Sequence, residues 1–143
     1  DAIGQLLGQP VSTLLGGYTD HMSVSHMLGF KPAQQLLEIA LEFRETYGIT
    51  TFKLKTGRHP VSLDVEAARV LRPGGRLLLS SLDRHGHEAV VQAYGHANLG
   101  FPDKELRRFV TRAGLEIHSA ETVTREKRPP HFQVISIIAR KPE

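Results

Sequence analysis

The residues richest in possible chemistry are Asp83-Arg84-His85-Gly86-His87-Glu88, with His96 close behind. A His-x-His pair on an extended segment places both imidazoles on one side. That is a workable two-ligand arrangement for zinc or nickel, which Asp83 or His96 could complete. A metal held there could activate water for hydrolysis. A second pair, Lys53 and Lys55, alternates with Phe52 and Leu54 and so shares one face of a strand. Such a pair could stabilise an anion or a carbanion if desolvated, or simply stand in solvent. His21, His26, His59 and His131 read as surface or packing residues. The basic run Arg125-Glu126-Lys127-Arg128 reads as a solvated turn, because it has no aromatic stacking partners for nucleic acid.

The composition limits the options. The chain has 143 residues, is 40% hydrophobic and 23% charged, and carries a net charge of +3, as a globular domain of about that size should. It contains no cysteine, which excludes disulfides, thiolate catalysis and Cys-zinc sites. No apolar run approaches the roughly 20 residues that cross a bilayer, and no signal peptide opens the sequence, so a soluble cytoplasmic protein is expected.

The elements that must position these residues follow from periodicity. Residues 1–17 read as two short helices broken at Gly8-Gln9-Pro10, and 23–29 as a strand. In 32–48, Leu36, Ala40, Phe43 and Tyr47 recur at helical steps between Pro32 and Gly48. Residues 50–57 alternate as a strand and 62–72 read as a helix stopped by Pro73-Gly74-Gly75. RLLLSSL (76–82) has the uninterrupted apolar character of an interior strand, and 87–95 forms a short helix. Leu106, Phe109, Val110 and Ala113 make a helical stripe ending at Gly114. Residues 116–126 and 131–141 form a hairpin, the first strand polar like an edge and the second apolar on both faces. The expected fold is α/β: an open, mostly parallel five-stranded sheet of order 1-2-3-5-4, the last strand antiparallel, helices mainly on one face.

The first half of the sequence resembles the enolase superfamily, in its muconate-lactonising and mandelate-racemase-like branch. The resemblance rests on DAIGQLLGQPVSTLLGG, SVSHMLGF and ALEFRETYGITTFKLKTGRHPVSLDVEAARVLR. It implies two barrel strands and a Lys-x-Lys pair, Lys53 and Lys55, pointing into a barrel beside a carboxylate–metal site. From about residue 66 the sequence resembles class I S-adenosylmethionine-dependent methyltransferases, through EAARVLRPGGRLLLSSLDRHGHE, GHANLGFPDKELRRFVTRAGLE and REKRPPHFQVISIIARKP. That implies the C-terminal half of such a sheet, without the Gly-rich turn after its first strand.

The whole, 1–143, reads as one domain joining a barrel-derived fragment (1–70) to a methyltransferase-derived fragment (71–143). Such a join, whether designed, selected or natural, leaves neither parental site complete. The expectation is a protein with no physiological catalysis and no cofactor beyond adventitious zinc. The alternative is a weak hydrolase acting on esters or phosphoesters at the 83–96 loop. An apolar sheet face left open by the join predicts a homodimer or higher oligomer, with the N-terminal segment a candidate for exchange between copies. Neither membrane nor nucleic acid is expected as a partner.

Overall fold

A computed structural model of the chain describes residues 1–19, 21–55, 68, 71–93 and 98–143. The lead-in is two short helices, α1 (Ala2–Leu7) and α2 (Val11–Leu14). Strand β1 (His26–Leu28) is followed by α3 (Ala33–Tyr47) and β2 (Phe52–Leu54). Strand β3 (Arg76–Leu82), α4 (Glu88–Gln92), α5 (Asp103–Arg112), β4 (Glu116–Arg125) and β5 (Gln133–Arg140) complete the order. The predicted helix over 62–72 lies mostly outside the described residues.

Helix α3 forms where its periodic apolar residues demand. It ends at Gly48, whose left-handed backbone (φ 68°) lets its N–H reach the Arg44 carbonyl at 3.1 Å. Its Phe43 ring stacks on His26 of β1, with centroids 3.6 Å apart, so α3 lies against the small parallel sheet β1-β2. His26 is thus a packing residue.

The C-terminal sheet has the order β3-β5-β4 and is antiparallel throughout. Ile135, Ile137 and Ala139 of β5 alternate onto one face, where Leu106 and Val110 of α5 cover them together with Ala113 and Leu115. Ala68 and Leu71, from the end of the predicted 62–72 helix, also pack on this core. Helix α5 is further pinned by Arg107, whose guanidinium donates to the Ala120 carbonyl of β4 at 3.1 Å and pairs with Asp103 at 2.7 Å.

The class is α/β, as expected, and the neighbours 1-2 and 3-5-4 are those predicted. The difference is at the join. β2 does not pair with β3 among the described residues, so there are two sheets rather than one of five strands. The parallel contribution is only β1-β2. The difference goes with strand length: β2 is three residues long and offers little ladder to the seven-residue β3, whereas β5 matches β3 along its whole length, and the far edge of β3 carries no strand among the described residues. A long antiparallel ladder fixes more backbone hydrogen bonds than a parallel contact three residues long. No helix among the described residues is long and apolar enough to cross a membrane.

Candidate functional site

The His-bearing loop sits at the C-terminal end of β3, and backbone hydrogen bonds hold it from two sides. Asp83 N–H donates to the Gln133 carbonyl at 2.9 Å, extending the β5 ladder by one step. His85 N–H donates to the Leu99 carbonyl at 2.9 Å, and Phe101 N–H donates to the Leu82 carbonyl at 3.0 Å. The segment ending at Phe101 therefore lies alongside 82–85. Gly100 makes that approach possible: it has φ +79°, and a Cβ there would stand 2.5 Å from the Asp83 carbonyl oxygen.

The two histidines meet on an aromatic platform. The His85 ring lies 4.6 Å from Phe132 and 5.7 Å from His87, and His87 meets Phe132 edge-on at 5.7 Å. Phe132 is the residue that sequence reasoning missed. Its signal was the hairpin register, which pairs Leu82 with Val134 and so brings the start of β5 beside the loop that follows β3.

The two nitrogens of His85 differ. Nδ1 accepts the His87 backbone N–H at 3.2 Å, an assignment that leaves the ring proton of the neutral form on Nε2. Nε2 is buried and has no hydrogen-bond partner among the described residues. Neither nitrogen presents an open lone pair to a metal in this arrangement. Asp83 Oδ1 accepts the Arg84 N–H at 2.8 Å, and Arg84 reaches Glu105 at 3.8 Å in a partly solvated pair of small energetic weight. His87 is exposed, and His96 lies outside the described residues. Among the described residues no three His, Cys, Asp or Glu side chains gather as a metal site would need.

Lys53 and Lys55 stand exposed at and just past β2. The Lys55 N–H donates to the Leu28 carbonyl at 3.3 Å, and Lys53 is in register with Met27. No barrel wall closes over them among the described residues, and no carboxylate cluster stands ready for magnesium. The donor set therefore does not fit the metal that the barrel resemblance implies. S-adenosylmethionine fares no better. The turn after β1 reads Gly29-Phe30-Lys31-Pro32, without the paired glycines that let a backbone approach its ribose and methionine closely.

Half of the chain has a curated relative. Over 75 residues, 50% of this chain, it is 41% identical to muconate cycloisomerase 1 of Rhodococcus opacus. The amino-terminal half is similar to muconate cycloisomerase. The chain spans 19% of that relative's length. A solved muconate lactonizing enzyme from Mycobacterium smegmatis, in complex with muconolactone, is 56% identical over 48% of this chain and 19% of its own, with a TM-score of 0.44. A S-adenosylmethionine-dependent methyltransferase structure from Methanosarcina mazei covers 84% of this chain and 83% of its own at 13% identity and a TM-score of 0.45. No protein-family model matches the chain.

Proposed function

We propose that this chain is a recombined α/β scaffold that catalyses neither muconate-type cycloisomerisation nor methyl transfer. It unites a barrel-derived fragment over 1–70 with a methyltransferase-derived fragment over 71–143 in one domain. The observation that carries this reading is the setting of Lys53 and Lys55. The muconate-cycloisomerase-like stretch brings its lysine pair with it, yet the pair stands exposed at a strand whose only partner among the described residues is β1. A base or acid for carbanion chemistry needs a dry, preorganised site with the metal beside it. No cofactor is required, and zinc or nickel held by His85 and His87 would be adventitious.

The test is a set of three assays on the purified chain. Turnover of muconate with added magnesium or manganese should not exceed the buffer rate. Calorimetric titration with S-adenosylmethionine should give no heat of binding. Activated esters and phosphoesters, assayed after chelation and again with zinc, should show no protein-dependent rate. Muconate turnover that falls with Lys55→Ala would overturn the proposal. Zinc-dependent hydrolysis that falls with His87→Ala would replace it with the weak-hydrolase reading.

A further inference from the structure

The two edges of the C-terminal sheet are built on opposite principles. The β4 edge carries Glu116, Glu121 and Arg125, and two irregularities, between Ile117 and Ser119 and between Thr122 and Thr124, break its register. Charges and bulges of this kind stop an edge from pairing with another chain. The β3 edge has no bulge, and its one charge is Arg76 at its start. From Leu77 to Leu82 it holds no charge, no proline and no glycine, and its register with β5 runs unbroken from Arg76 to Leu82.

The direction of its backbone groups can be worked out residue by residue. The Gly75 carbonyl accepts from Lys141 N–H at 2.8 Å, and Asp83 N–H donates to Gln133 at 2.9 Å. Odd-numbered residues therefore turn toward β5. Backbone direction alternates along a strand, so Arg76, Leu78, Ser80 and Leu82 turn toward the free edge. At Leu82 the carbonyl on that side is already taken by Phe101. This leaves the N–H and C=O groups of Arg76, Leu78 and Ser80 facing an edge with no strand on it among the described residues.

We infer that this edge, residues 76–80, pairs antiparallel with the same edge of a second copy about a two-fold axis at Leu78. In that register Leu78 lies opposite the partner subunit's Leu78, and Arg76 lies opposite the partner subunit's Ser80. All the free N–H and C=O groups of Arg76, Leu78 and Ser80 find partners. No like charges face each other, and each copy's Phe101 contact at Leu82 is left intact. A shift centred on Leu79 would place Arg76 opposite the partner's Leu82, whose carbonyl is occupied. A shift centred on Ser80 would set Arg76 against the partner's Arg84, two like charges across a pair. The register is thus chosen by the chain itself. Leu78, 69% exposed in the single chain, is the residue the pairing covers, and a continuous six-stranded sheet of order 4-5-3-3-5-4 results. This inference does not depend on whether the scaffold is catalytic.

Sedimentation across a concentration series should show the mass rising from 15.9 kDa to twice that value. L78K sets two ammonium groups opposite each other and should weaken dimerisation at least about tenfold, with an unchanged circular dichroism spectrum. S80P removes an N–H that serves only the outer edge. It should have the same effect, and it keeps the test open should L78K misfold. The chain has no cysteine, so L78C offers a single thiol on the axis and should oxidise to a covalent dimer faster than V123C on the guarded β4 edge. A 15.9 kDa species at every concentration overturns the inference. So does a dimer that both L78K and S80P leave intact, or L78C oxidation no faster than that of V123C.

Discussion

The two halves of this molecule both form helices and strands, short strands before residue 71 and long ones after it, and they bury very different amounts of apolar surface among the described residues. In the C-terminal half, Leu106, Val110, Leu115, Ile135, Ile137 and Ala139 close a core in which Ile137 and Ala139 are wholly inaccessible. Before residue 71, Leu28 is the one buried apolar side chain among the described residues. There Leu6, Leu15, Tyr18 and Met22 are each more than four-fifths exposed. The contrast has a physical cause. A hairpin and a helix that cross it are neighbours in sequence and can complete a core between themselves. The pair β1-β2 is only three residues long, and α3, which packs on it, buries no side chain, so no comparable core forms there among the described residues. Regular secondary structure is therefore no guide to burial, and Lys53 and Lys55 stand exposed on and beside a strand of the thinly covered half.

The sharpest way to break this comparison is at Ile137. I137A removes the most buried side chain of the sheet and should cost about 2–5 kcal/mol, read as a lower denaturant midpoint. If the N-terminal half were the true source of stability, the midpoint would not move. Next in size is G100A, which forces a side chain into left-handed backbone and against the 82–83 carbonyls. About 1–3 kcal/mol of destabilisation is expected, with the Phe101–Leu82 amide losing protection from hydrogen exchange. R107A removes the tie from α5 to the Ala120 carbonyl and should cost about 1–2 kcal/mol in the same unfolding experiment. At the small end, K53A and K55A should change stability by less than about 0.5 kcal/mol and leave every assayed rate unaltered. A large effect of either lysine on turnover would mean that the N-terminal fragment had rebuilt a site after all.

Much of the fold was legible in advance because it is local. The 32–48 helix appears as Ala33–Tyr47, the 76–82 strand with the predicted bounds, and the hairpin within two residues at each end. Periodicity and punctuation by proline and glycine suffice for such elements. The missing β2-β3 pairing was not legible, since either end of β3 gives the same apolar pattern in one sheet or two. The candidate site was half legible. His85 and His87 were placed on one loop and do meet in ring contact. What Nδ1 of His85 would accept, and that Phe132 would sit beneath both rings, depends on the β3-β5 register.

The sequence by itself determined where helices and strands lie, the absence of cysteine chemistry, the similarity of the first half to muconate cycloisomerase, and the charge difference between β3 and β4. Each of these is fixed by residue type and short-range spacing. The tertiary structure alone decided that, among the described residues, the strands divide into two sheets, that the lysine pair stands exposed, and that the outer backbone groups of Arg76, Leu78 and Ser80 are left facing an edge. Those outcomes depend on which long-range hydrogen bonds are made. A backbone N–H carries no record of its partner in the side chain beside it.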